Sequence, residues 1–198
     1  MTALDIRLFR TIHEALGGGW IALMAALTVV GGGWGALSIL PFFAPSRTRR
    51  FALAFVATIG VNTVVVYALK AIIARPRPWM VMPDVHPLVF PGPTDFSFPS
   101  GHAAGSFCYA TFVSVVLLRT RSGAARWIVS SILLALATGV ALSRIALGVH
   151  FPGDVAAGAI IGATMGTLGA EVFVRRRRAR LADRPAPGDA PADPSGSR

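Results

Sequence analysis

Apolar runs near or above ~18 residues recur along this chain, and that recurrence confines it to folds whose solvent is lipid. They fall at about 19–43, 51–73, 102–119, 127–147 and 154–174. A crossing helix needs ~20 apolar residues, because each rises ~1.5 Å through a hydrocarbon layer ~30 Å thick. Only 14% of the 198 residues are charged, against about 25% in a soluble domain. The pattern predicts an all-α, polytopic membrane helical bundle with about five transmembrane helices. Gly31-Gly32-Gly33 interrupts the first run, and neither half is long enough to cross alone. It is read as one span with a kink or a close-packing face; a re-entrant pair is the alternative, and a split would give six. Before it, Leu4, Leu8, Ile12 and Leu16 recur every fourth residue, the mark of a short helix lying in the membrane interface. The single domain runs over 1–180. Residues 181–198, rich in Pro, Ala, Asp, Gly and Ser, read as a disordered tail.

The formal net charge of +10 first suggests nucleic acid. The placement of the arginines argues against it. Arg47, Arg49 and Arg50, then Arg119, Arg121 and Arg126, then Arg175 to Arg178 occupy loops on one side of a five-span chain. That is the pattern of a cytoplasmic face in a plasma membrane. The N-terminus, the proline-rich loop 75–100 and the turn 148–153 then share the extracytoplasmic side. Lys70, Arg75, Arg77 and Arg144 break this rule, and binding an anion is a reason for them to do so. The residues before the first run are charge-balanced and not basic, so no cleavable signal peptide is expected. The one cysteine, Cys108, has no partner for a disulfide or a zinc pair.

Three clusters sit at the ends of apolar runs. Lys70 is the only lysine among 19 basic residues. As a compact point charge it suits phosphate, and Arg77-Pro78 follows on a stiffened backbone. Ser100-Gly101 opens the third long run as a helix-start turn with free backbone N–H groups, a ready anion site. His102 stands at its mouth, placed to give a proton to a leaving oxygen. Arg144 ends the fourth long run. His150 follows, then Pro152 and Asp154 in the first turn of the fifth. A carboxylate at a span end is costly unless paired, and the ring N–H of His150 is its natural partner. That pairing leaves the other ring nitrogen free to attack. Zinc on His102, His150 and Asp154 is the competing reading. Three cations nearby disfavour it, so no metal and no cofactor is expected.

Lys70-x6-Arg77-Pro78, Pro99-Ser100-Gly101-His102 and Ser143-Arg144-x5-His150-x3-Asp154 resemble the three signatures of the type 2 phosphatidic acid phosphatase family. That family shares its site with vanadium-dependent haloperoxidases. The resemblance spans 70–154 with no departure at a signature position. It implies a metal-independent hydrolase with a helical core, acting on phosphoric monoesters or diphosphates of lipids. By resemblance His150 becomes a phosphohistidine, Asp154 orients it, and His102 protonates the leaving group. Lys70, Arg77, Ser100, Gly101 and Arg144 would hold the phosphate. The implied partners are the bilayer and a membrane lipid phosphate, with polyprenyl diphosphate the first candidate by analogy. The same residues would serve a lipid phosphotransferase. A non-catalytic lipid binder or transporter predicts a gap in the constellation, and none is seen.

Overall fold

The computed structural model describes residues 2–32, 37–89 and 91–183. Among the described residues six helices carry the fold: α1 (Ala3–Leu16), α2 (Ile21–Val30), α3 (Ser46–Ile73), α4 (Gly101–Thr120), α5 (Ala125–Ala146) and α6 (Pro152–Ala182). Two single turns join them, a 3-10 turn at Leu40–Phe43 and a helical turn at Pro78–Val81. No strand occurs among the described residues. Four helices, α3 to α6, are long and apolar enough to cross a membrane. The all-helical membrane bundle expected from the apolar runs is therefore present.

The expected first span is not one continuous helix. α2 has ten residues and rises only about 15 Å. It stops where the Gly31 N–H bonds back to the Leu27 carbonyl at 2.9 Å. Gly33 lies outside the described residues. α1 and α2 meet at 110°, and together they form the fifth apolar unit. Gly31 is there for packing: a Cβ on it would stand 2.1 Å from Val140 Cγ1 of α5. α6 continues past its apolar run through the arginines to Ala182, and the expected tail beyond Asp183 lies outside the described residues.

What positions the two halves of the site is a seam of small residues. Gly158, Gly162 and Gly166 recur every fourth position on α6. Added Cβ atoms there would stand 2.4 Å from Ser100 O, 2.1 Å from Ala104 O and 2.4 Å from Cys108 O. The partner numbers rise together, so α4 and α6 run parallel, backbone against backbone. Membrane helices associate through such close approach, since lipid supplies no hydrophobic drive between them. α3 runs antiparallel to α4, with Phe55 against Phe112 at 5.5 Å and Val66 beside Gly101. α5 is antiparallel to α4 across the turn at Gly123, whose φ of 84° suits glycine. The N-termini of α4 and α6 and the C-termini of α3 and α5 therefore meet at one end. The other end is closed by a buried aromatic cluster that includes Phe55 and Phe112, with Phe51 and Phe173 packed against it.

Candidate active site

Each of the three clusters reaches that shared end by a different local device. α3 ends on Ala74, whose left-handed φ of 47° lets its N–H close on the Lys70 carbonyl at 2.9 Å. The chain then turns out through Arg75 and Arg77. α4 begins at Ser100, whose Oγ accepts from the Ala103 N–H at 3.5 Å while its own backbone N–H donates to the Asp154 carbonyl at 2.9 Å. α6 begins with Pro152 in its first turn, and the Asp154 carboxylate accepts from the Phe151 N–H at 2.9 Å. Phe151 has no side-chain acceptor, so this capping is one-sided.

The result is a cavity of about 660 Å³ running from the polar end down between α3, α4 and α5. Lys70, Arg77, Gly101, His102, Arg144 and His150 line its upper part. Val66, Ala137 and Val140 line the apolar part. Ser100 is fully buried just behind, with its hydroxyl hydrogen still available as a donor. Gly32 lies against His102, an added Cβ there standing 3.7 Å from Nε2.

Arg77 is 2% exposed and anchors the cluster. Its Nη1 donates to the Val149 carbonyl at 2.7 Å and reaches His150 Nε2 at 3.2 Å. Guanidinium nitrogens only donate, so Nε2 is the acceptor and the ring proton sits on Nδ1. Nδ1 in turn faces Ser97 Oγ at 3.5 Å and Asp154 Oδ2 at 3.6 Å, the latter an electrostatic contact, not a hydrogen bond. Ser97 Oγ donates to that same Oδ2 at 2.5 Å. Burial pushes the His150 imidazole down to about 3, assisted by Arg77 and Arg144 and opposed by Asp154. A neutral ring with a bare Nε2 is the form a nucleophile requires.

Arg144 is held by Thr28 Oγ1 of α2 through Nη1, while its buried Nε has no hydrogen-bond partner among the described residues. Lys70 Nζ donates to the Phe96 carbonyl and lies 3.1 Å from Asp95 Oδ2. Asp95 also accepts from Arg77 Nη2 at 2.5 Å. Burial works against the Asp95 carboxylate, but the Lys70 and Arg77 cations outweigh it and hold the carboxyl below its ordinary value. Among the described residues no group of three His, Cys, Asp or Glu side chains is arranged to hold a metal ion.

All eight sequence-derived residues thus gather at one end of the bundle. Sequence reasoning gave no site role to Ser97, Thr28 or Asp5, and counted Asp95 only among the loop residues 79–98 expected to shape head-group access. Ser97 and Asp95 sit in the proline-rich loop, whose irregular backbone has no periodicity to announce an inward side chain. Arg75 was marked only by its breach of the charge rule.

The PAP2 superfamily model matches residues 51–178. A decaprenylphosphoryl-5-phosphoribose phosphatase of Mycobacterium tuberculosis is 34% identical over 151 residues, 75% of this chain and 76% of that protein. The crystal structure of Aquifex aeolicus LpxE superposes with a TM-score of 0.71 at 31% identity, covering 86% of this chain and 96% of that one. A transmembrane PAP2-type phosphatidylglycerolphosphate phosphatase of Bacillus subtilis gives 0.69 at 25% identity over 92% and 90%. A family match over most of the helical core, together with these likenesses, makes this chain a member of the PAP2 superfamily.

Proposed function

We propose that this chain is a metal-independent integral-membrane phosphatase that hydrolyses lipid phosphates or diphosphates through a phosphohistidine on His150. The supporting observation is His150 Nε2, unprotonated and accepting from Arg77 Nη1 at 3.2 Å, in a cavity that is cationic at its head and apolar below. A phosphate on an apolar chain matches that division. The in-line step forms an Nε2–P bond and breaks the P–O bond to the lipid. Lys70, Arg77, Arg144 and the Ser100-Gly101 turn neutralise the equatorial oxygens, and His102 donates a proton to the leaving oxygen. Asp154, with Ser97, holds Nδ1–H as the ring takes on charge. Water then attacks the phosphohistidine, His102 accepts its proton, and inorganic phosphate departs.

Polyprenyl diphosphate is the first substrate to try, because the similar mycobacterial protein is named for a decaprenyl lipid phosphate. The arginine-bearing ends, which lie opposite the site, support a reading in which it faces the extracytoplasmic side. The test is reconstitution with undecaprenyl diphosphate and phosphatidic acid in excess chelator, with phosphate release measured. Turnover is expected in chelator, and His150→Ala should lower it by about 1,000-fold or more. Label appearing on an acceptor lipid in place of free phosphate would convert the reading to a phosphotransferase. No turnover on either lipid, or wild-type rates in His150→Ala, refutes it.

A further inference from the structure

We infer that Arg75 is a positioning residue of this site and that the N-terminal helix, through Asp5, holds it in place; the inference rests on the hydrolytic reading above. Asp154 is fully buried. Its Oδ2 is committed to the Phe151 N–H at 2.9 Å and the Ser97 hydroxyl at 2.5 Å. Among the described residues its Oδ1 has a single hydrogen-bond partner, Arg75 Nη1 at 2.6 Å. The other terminal nitrogen of Arg75 donates to Asp5 Oδ2. Asp5 Oδ1 accepts from the Gly153 N–H at 2.8 Å, in the first turn of α6. The guanidinium lies 4.4 Å over the Phe151 ring. Arg75 is thereby fixed by two carboxylates and an aromatic face.

Two physical consequences follow. Without Arg75, Oδ1 becomes an unpaired buried charge, and the carboxylate is free to rotate away from His150. Arg75 alone would also neutralise Asp154 and weaken its hold on a charging imidazole. Asp5 removes that difficulty: two carboxylates and one guanidinium leave a net charge of −1 beside the ring. α1 is bound to the site in other ways too. Phe9 is fully buried, 5.6 Å from Phe151, and His13 Nδ1 meets the Ala146 carbonyl at 2.8 Å. Its Leu4 and Leu8 remain exposed, as an interfacial helix requires. The helix read from sequence as a surface anchor is, in this reading, one wall of the catalytic centre.

The experiment compares the full-length wild type with Arg75→Ala, Arg75→Lys, Asp5→Asn, the Asp5→Asn/Arg75→Ala double variant and His150→Ala, all in proteoliposomes. Arg75→Ala should lower kcat about 100-fold, the scale of a misplaced catalytic group, and leave KM within about twofold, since Arg75 does not line the cavity. Arg75→Lys should recover part of the loss. Asp5→Asn should cost about tenfold, and the double variant should be no slower than Arg75→Ala alone, because both act through one contact. Wild-type kcat in Arg75→Ala, a rise in KM alone, or losses that multiply in the double variant each overturn the inference. If Arg75→Ala fails to fold, Arg75→Lys and Asp5→Asn decide it by the same kcat and KM criteria. Inactive wild type would defeat the hydrolytic reading along with this one, whereas active wild type beside unimpaired Asp5→Asn and Arg75→Ala defeats this one only.

Discussion

The two sides of α4 are built on opposite principles. Toward α6 it presents Ala103, Ala104 and Cys108 to a row of glycines, so close that a methyl group has no room. Away from α6 it presents Gly105, Ser106 and Tyr109 to an open cavity shared with α3 and α5. The closed side sets precision: it locks Ser100 to the Asp154 carbonyl and holds the α4 and α6 N-termini in register. The open side admits a ligand. A site for a lipid phosphate needs both, because reacting atoms tolerate little displacement while an apolar chain needs volume and not geometry.

The comparison breaks most severely at Gly162. Leucine there would drive into the Ala104 backbone, which cannot yield as a side chain would. Gly162→Leu should cost at least ~2 kcal/mol in stability, the upper half of the usual range for overpacking or more. It should abolish phosphate release as well, both read from thermal melts in detergent and turnover in liposomes. Wild-type melting and turnover would show that the seam is not as tight as described.

Filling the open side should separate binding from folding. Ala137→Phe places a ring in the apolar part of the cavity. It should raise KM for a long-chain lipid phosphate roughly tenfold, about 1.4 kcal/mol, with the melting temperature nearly unchanged. Turnover of a short, water-soluble phosphate ester should be spared. Equal damage to both substrates would mean that the cavity does not seat the chain.

Asp95 tests the boundary between charge and cavity. It bridges Lys70 and Arg77, two cations that the proposed mechanism gives to the phosphate. Asp95→Asn should tighten inhibition by inorganic phosphate or vanadate by about two- to fivefold, the ~0.4–1 kcal/mol of a partly exposed pair. Unchanged inhibition would indicate that Asp95 does not compete with the anion. Its carboxyl lies below the ordinary carboxylate value, so the bridge stabilises the fold above that ordinary range. The contribution is lost as pH falls through the lowered value.

The remaining test is a pH slope, read on stability and not on activity. His150 is neutral in the fold and titrates only near 3, but in the unfolded chain it protonates near 6.5. Its contribution is whole above 6.5 and declines as pH falls toward 3, because the unfolded state binds the proton first. The wild-type melting temperature should therefore fall more steeply from pH 6.5 to pH 4 than that of His150→Gln. Parallel slopes would mean that folding does not lower the His150 imidazole.

Much of this was legible in the chain. Hydropathy locates α3 to α6, since a lipid solvent permits little besides helix; what it misses is mainly the polar extension of α6 to Ala182 and the first turn of α3. Two of the three clusters were legible because they violate a membrane rule: a lone lysine, basic residues on the wrong face, a carboxylate at a span end; Ser100-Gly101-His102 was legible as a helix-start turn. The break in the first run was legible too, since Gly31 ends α2 where the glycines interrupt the apolar run; the 110° angle between α1 and α2 was not, because hydropathy has no term for direction. Ser97 and Asp95 were silent because nothing local distinguishes an inward loop side chain from a solvated one. The spacing of Gly158, Gly162 and Gly166 is visible in the sequence, but not that Ser100, Ala104 and Cys108 are what it meets.

The sequence by itself determined the solvent, the helices and the inventory of reactive groups, because those follow from hydrophobicity, helix length and residue chemistry, all local properties. Tertiary structure alone decided which nitrogen of His150 is bare, since that depends on Arg77 lying on one side and Ser97 and Asp154 on the other. It alone decided that Asp154 shares Arg75 with a residue near the start of the chain. Those pairings join positions far apart in the chain. They exist because two helices pack through glycine closely enough to bring their first turns together.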